Sequence, residues 1–271
     1  MITITRNEFK KLADYIKSNY GIHLKEEKKA LVINRLYNEL VNSNCKNFSQ
    51  YYEYILSDKS GEALTSLINK ITTNHTFFMR EADHFYYFRD KVLPYLSSTV
   101  KDRDLRIWSA GCSSGQEPYT LAMIIYDYFK DDKMQWDTKV LATDISSKVL
   151  NEAMKGVYSK DEVEALPSLW RLNYFQKIND ENYAITDEIK KEVIFRKFNL
   201  MEKTFPFRKK FHTIFCRNVM IYFDNKTKIE LINKFYDKLE YGGYLFIGHT
   251  ETIPRKETGF QYVMPAVYRK V

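Results

Sequence analysis

From Arg6 to Asn74 apolar residues recur every three or four positions, the spacing of helices that each bury one face. Phe9, Leu12 and Ile16 mark a first helix, and Gly21 stops it. A second runs from about Lys25 to Val41 with Val32, Leu36 and Leu40 inward, and Lys28 and Arg35, seven apart, project from one side of it. A short aromatic helix (Phe48, Tyr51, Tyr52, Ile55) and another carrying Leu64, Leu67, Ile68 and Ile71 complete an all-helical unit, residues 1–75. No cluster within it suggests chemistry. At 71–81, ITTNHTFFMRE, polar Thr72, Thr73, Asn74 and Thr76 stand beside Phe77 and Phe78. That is the composition of a pocket wall, and equally of a linker capping a helix. A further helix, Glu81–Leu93, places Phe85 and Phe88 inward and leads to Pro94.

The pattern then changes. Leu105–Ser109 is a mostly apolar run bounded by charge on one side and Gly111 on the other, which predicts a buried parallel strand. Gly111 and Gly115 permit a sharp turn, Pro118 suits a first helical turn, and Leu121, Ile124, Ile125 and Tyr128 continue at helical spacing. Lys139–Thr143 is a second strand ending at Asp144, followed by a helix over Ser146–Met154. Trp170–Ile178 and Asn182–Thr186 alternate around the turn residues Asn179-Asp180, a hairpin signal, and Val193–Leu200 is a further strand. Together they predict a small antiparallel insert at about 157–196. Phe211–Phe215 is again a buried strand, running into CRNVMIYF (216–223), and a helix over Lys226–Leu239 ends at Gly242-Gly243. Tyr244–Gly248 leads as a strand to His249-Thr250-Glu251, and Gln261–Lys270 reads as one last edge strand. Residues 76–271 are thus an α/β unit with a Rossmann-type sheet.

Strand, glycine turn and helix N-terminus form a nucleotide-binding crevice. A P-loop needs Lys-Ser/Thr after its second glycine, where Gln116-Glu117 stands, and the GxGxxG spacing of dinucleotide sites is missing. A ligand without phosphates fits better, and S-adenosylmethionine, with its cationic sulfonium and its amino group, suits acidic partners. Asp144 at the tip of the second strand can accept both ribose hydroxyls, or can serve as a helix N-cap.

Composition narrows the setting. The chain has 271 residues, 44% hydrophobic and 28% charged, as in soluble globular proteins. Met1–Lys11 holds no apolar signal core, and no apolar run nears membrane-spanning length, so neither secretion nor membrane insertion is expected. Cys45, Cys112 and Cys216 form no CxxC, which argues for reduced thiols in the cytoplasm, and five dispersed histidines show no metal spacing. A net charge of +7 allows an acidic partner, either nucleic acid or an acidic protein surface. Residues 1–75 carry 11 Lys/Arg against 8 Asp/Glu, a mild excess without runs.

The pieces TTNHTFFMRE (72–81), IWSAGCSSGQEPYTLAM (107–123), ATDIS (142–146), FNL (198–200), FCRNVMIYF (215–223) and GHTE (248–251) resemble the CheR family, chemotaxis receptor glutamate O-methyltransferases. The resemblance covers essentially the whole chain. It implies that Asn74, Thr76 and Arg80 line the cofactor and acceptor site, with Gly111 in the glycine turn. It also implies that Glu117 holds an end of S-adenosylmethionine, Asp144 its ribose, and Asn199 and Leu200 the adenine region. Arg217, Asn218 and Tyr222 complete the site, with Arg80 and Tyr222 at the reacting centre. Met79 departs from the family, which usually has a second Phe before the Arg. The implied partner is the cytoplasmic methylation region of chemoreceptors, met by the basic side of the front helices. Family members that dock on a receptor tail carry a glycine-containing loop in the insert. This chain has no glycine between Gly156 and Gly242, which argues against tail docking.

A glutamate acceptor, with an ordinary pKa near 4.3, is already anionic at neutral pH and needs no general base. Arg80 would then position it, and Tyr222 would orient either partner. Taken without the family, Arg80 reads as a surface ion pair with Glu81 or Asp83, and Tyr222 as a core aromatic. The rivals are a nucleic-acid methyltransferase, whose Asn/Asp-Pro-Pro-aromatic tetrapeptide is absent after the strand at 211–215, and a non-catalytic binding module.

Overall fold

The computed structural model describes residues 2–72, 75–254 and 257–271. Helix α1 (Arg6–Tyr20) starts with a capping box: Thr5 accepts from the Glu8 N–H, and the Glu8 carboxylate accepts from the Thr5 N–H at 2.8 Å. Its Phe9, Leu12 and Ile16 are buried. A 3-10 turn (Glu26–Lys28) precedes α2 (Lys29–Asn42), and α3 (Phe48–Ser57) and α4 (Glu62–Ile71) follow. The predicted inward residues of α2, Val32, Leu36 and Leu40, are fully buried. The expected pair of surface cations is not one. Lys28 lies exposed in the 3-10 turn, while Arg35 turns inward and donates through Nη1 to the carbonyls of Lys70 (3.2 Å) and Ile71 (2.7 Å), capping the end of α4.

The helix expected to stop at Leu93 continues through Ala82–Tyr87, a π turn at Phe88–Val92 and a last segment, Leu93–Thr99. Pro94 offers no N–H, and its ring crowds the carbonyl four residues back. The wide π turn opens the backbone just there, so the helix survives its proline.

The main sheet has the order β6-β2-β1-β7-β8-β10-β9. Its strands are β1 (Ile107–Ala110), β2 (Val140–Asp144), β6 (Val193–Lys197), β7 (Phe211–Cys216), β8 (Leu239–Ile247), β9 (Phe260–Met264) and β10 (Val267–Lys270). The first five pair in parallel; β10 and β9 are antiparallel. Trp108 and Ile107 point to opposite faces. Trp108 lies among Phe205, Phe211 and Phe235, and its Nε1 donates to Thr143 Oγ1 at 2.8 Å, tying β1 to β2. That face shares one continuous apolar cluster with the front helices. The other face stacks Phe215 on Phe246, with ring centroids 4.3 Å apart, beneath Phe85 and Phe88.

The insert differs from expectation in two ways. Its sheet is β3-β5-β4, built from β3 (Val157–Ser159), β4 (Phe175–Lys177) and β5 (Asn182–Ile185). β6, expected within the insert, instead pairs with β2 over Val140↔Val193 to Asp144↔Lys197 and forms the main sheet's edge. The first half of Trp170–Ile178 is helix (Ser168–Tyr174), because Trp170 and Tyr174, one turn apart, both donate to the Asp127 carboxylate. The last strand is a hairpin, β9 and β10, joined by Pro265-Ala266. Proline fits the first turn position, and Ala266 takes the left-handed second one (φ 62°), where a glycine would have announced the turn.

Candidate functional site

The parallel strands run outward from β1 in both directions, and a ligand crevice belongs at the carboxyl ends where the order reverses. Segments following β1, β2, β6 and β7 wall a cavity of about 490 Å³ there. That lies within the roughly 300–1,000 Å³ typical of small-molecule sites. Thr76, Arg80, Gly111, Glu117, Asp144, Asn199, Leu200, Arg217, Asn218 and Tyr222 all line it, and Asn74 lies outside the described residues. Tyr20, Ile22, Ile68 and Asn69 of the front helices close one side.

Two glycines shape the entrance to the helix Gln116–Phe129. Gly111 has φ 85°, and a Cβ there would sit 2.5 Å from Val219 Cγ2, so the loop after β7 packs directly on it. Gly115, at φ 99°, would meet the Tyr158 hydroxyl and Ala153 Cβ at 2.9 Å. Asp144 caps both neighbouring turns: Oδ2 accepts from Ser113 N–H and Oδ1 from Ser146 N–H, each at 2.9 Å. Burial pushes its carboxyl up, partly opposed by these N–H groups. Each oxygen keeps a lone pair for a further donor. The N-cap of the next helix is Ser146, not Asp144. Asn199 spans the seam, donating to the Asn19 carbonyl at 2.8 Å and accepting from Met201 N–H at 3.0 Å.

Arg217 is the electrostatic centre. Its side chain is 2% exposed; Nη1 donates to Glu117 Oε2 at 2.9 Å, and Nη2 to Glu81 Oε2 at 3.1 Å and to the Arg80 carbonyl. Glu117 also accepts from Ser109 Oγ at 2.7 Å. Glu81 Oε1 takes Asn218 Nδ2 at 3.2 Å and His249 N–H at 3.3 Å. Burial works to raise Glu81, but Arg217, Asn218 and His249 outweigh it and hold the carboxyl below its ordinary value. Two carboxylates around one guanidinium leave this corner net negative, which suits a cationic ligand. Arg80 itself is not the ion pair that its neighbours in sequence suggest. Glu81 is committed to Arg217, Arg80 Nη1 donates to the His75 carbonyl, and among the described residues no carboxylate pairs with Arg80. Cys112 lies in the wall, and burial with Asp144 and Glu117 pushes its thiol well up, so it is no nucleophile.

Nothing in the sequence pattern gives Glu81, Glu251 or His249 a role. Glu251 is 4% exposed and accepts from the N–H groups of Gly248 (2.6 Å), Asn218 (3.0 Å) and Ile221 (3.0 Å), fixing the loop that carries Arg217 to Tyr222. The available signal was an acid just past a buried strand, the same signal that singles out Asp144. Glu81, His84 and His249 bring ligand atoms within 4.8 Å of one another. Burial and Arg217 push His84 down to about 3, so its ring is neutral. A cation there would meet Arg217, which already occupies the same Glu81 oxygen.

A model of the CheR methyltransferase SAM-binding domain matches residues 74–268, and one of the CheR methyltransferase all-alpha domain matches 7–72. The chain belongs to the CheR methyltransferase family. It is 44% identical to a chemotaxis protein methyltransferase of Borreliella burgdorferi, over 99% of this chain and 96% of that one. It is 36% identical to a probable chemotaxis protein methyltransferase of Rhizobium etli (88% and 90%) and 32% identical to the chemotaxis protein methyltransferase of Escherichia coli (98% and 92%). This CheR-family chain is therefore an S-adenosylmethionine-binding methyltransferase. No helix among its described residues is long and apolar enough to cross a membrane.

Proposed function

We propose that this chain moves the methyl group of S-adenosylmethionine to glutamate carboxylates in the cytoplasmic methylation region of chemoreceptors, giving glutamyl methyl esters and releasing S-adenosylhomocysteine as the methyl–sulfur bond breaks. The observation that carries this reading is the division of charge in the cavity. Asp144 and Glu117 make one part acidic, and Arg80 lines the same space with no carboxylate partner among the described residues. S-adenosylmethionine, when bound, supplies an electrophilic methyl on a cationic sulfur. The residues supply alignment and dryness. Asp144 accepts the ribose hydroxyls, Glu117 faces the amino-acid end, and Asn199 and Leu200 bound the adenine. Arg80 orients the anionic acceptor by charge-assisted hydrogen bonds, and Tyr222 orients the reacting pair. Anion and cation neutralise each other along the reaction, so geometry contributes more than charge stabilisation. No metal is needed for this step, and no proton moves in it.

Asp144→Ala should weaken S-adenosylmethionine binding by about 1.5–3 kcal/mol, because the ribose loses charge-assisted acceptors. Calorimetry on the folded variant reads this directly, and unchanged affinity would refute the ribose assignment.

Docking on the acidic receptor bundle is proposed for the exposed Lys28 side of the front helices, not for Arg35, which caps α4. The turn at 178–181 is short and glycine-free, which favours this surface over tail docking on the insert. Lys28→Glu should slow receptor methylation a few-fold at low salt, and the difference should fade as salt screens the contact. Equal rates at low salt would return Lys28 to a solvated surface.

A further inference from the structure

The end of α1 is stitched to the loop that carries Tyr222. His23 N–H donates to the Tyr222 carbonyl at 2.8 Å, and Ile22 forms an antiparallel bridge with Phe223. Lys17 Nζ lies 2.7 Å from Asp224 Oδ2, and Asp224 in turn caps the helix Asn225–Lys238 by accepting from Thr227 N–H at 2.9 Å. Ile22 and Phe223 are both buried, and Tyr20, Ile22, Tyr222 and Phe223 share one cavity wall. The sheet alone does not hold this loop. Tyr222 sits in a 3-10 turn (Met220–Tyr222) beyond the end of β7, where the ladder no longer restrains the chain. Glu251 fixes its upstream half through Asn218 and Ile221 N–H. The downstream half is fixed from the front helices.

We infer that the α1 end, through Lys17 and the main chain of Ile22 and His23, is a positioning element for Tyr222, so that the front helices set the geometry of the reacting centre as well as meeting the receptor. This rests on the proposed role of Tyr222. An ångström-scale shift of an orienting side chain lowers turnover without altering a distant binding contact. Through Lys17 and the main chain of Ile22 and His23 the front helices act on kcat, while their hold on the adenine-side Asn199 runs separately through the Asn19 carbonyl.

The test is a double-mutant cycle with turnover, KM for receptor and S-adenosylmethionine affinity measured for each variant. His23→Pro removes the N–H that holds Tyr222, and should lower kcat about tenfold with cofactor affinity unchanged. His23→Ala keeps the N–H and should return most of that loss. Lys17→Met, which leaves the backbone intact, should lower kcat about threefold, with Lys17→Arg restoring it. In a Tyr222→Ala background neither front-domain substitution should lower kcat further. If His23→Pro fails to fold, Lys17→Met carries the cycle by itself. Undiminished kcat in the folded variants, or losses that add fully to that of Tyr222→Ala, would overturn the inference. Tyr222→Ala turning over at the wild-type rate would instead refute the reading of Tyr222, and it is read before any front-domain change is made.

Discussion

Replacing Arg80 with alanine should lower the turnover of methyl transfer by about 100-fold or more, while S-adenosylmethionine affinity falls far less. The reason is geometric. A carboxylate oxygen must approach the methyl in line with the bond to sulfur, and a freely rotating glutamate samples that line rarely. Arg80 presents a planar fork of donors at the cavity wall, braced by the His75 carbonyl and unopposed by any carboxylate among the described residues. Arg80→Lys keeps the charge but loses the fork, and it should restore only part of the rate. Equal losses in cofactor affinity and turnover would place Arg80 on the cofactor instead of the acceptor.

Removing Arg217 should have the largest effect on stability. Arg217→Met leaves Glu81 and Glu117, with side chains 14% and 13% exposed, without their shared cation. An uncompensated buried charge of this kind costs about 3–5 kcal/mol. The sign with pH follows. In the wild type the Glu81 carboxyl lies below its ordinary value, so its contribution is full above the unfolded carboxylate range and is lost only as pH falls through the lowered value. In Arg217→Met burial acts unopposed by the cation, so the native state takes up protons first and the deficit narrows as pH falls from 7 towards 5. Urea denaturation across that interval reads both the deficit and its slope. Arg217→Met combined with Glu81→Gln should recover part of the loss, since one stranded charge is gone. A deficit under about 1 kcal/mol at pH 7 would mean that the corner is wetter than it looks.

Much of this site is legible in the chain because its residues sit at the ends of strongly patterned elements. β1, β2 and β7 are short, almost wholly buried runs, so the residues just beyond them fall at one edge of the sheet whatever the loops do. That logic reaches Gly111, Asp144 and Arg217. It stops where a side chain's partner lies far off in sequence. Nothing around Arg80-Glu81 says that the glutamate turns away to Arg217 and leaves the arginine, held by the His75 carbonyl, without a carboxylate partner among the described residues, and nothing around Arg35 says that it caps α4. β3 is three residues long and shows no period, so the sequence pattern points instead to Val193–Leu200 for the insert's third strand. The Pro265-Ala266 turn was hidden because alanine takes a backbone conformation that only glycine or asparagine advertises.

The identity of the methylated atom decides the central claim. The intact protein is incubated with methyl-labelled S-adenosylmethionine and a chemoreceptor cytoplasmic fragment, with duplex DNA and tRNA in parallel. The label should enter the fragment alone, be released as methanol by mild alkali as an ester requires, and disappear when the receptor's acceptor glutamates are replaced by alanine. Label that resists alkali, or that enters either nucleic acid, would contradict glutamate O-methylation.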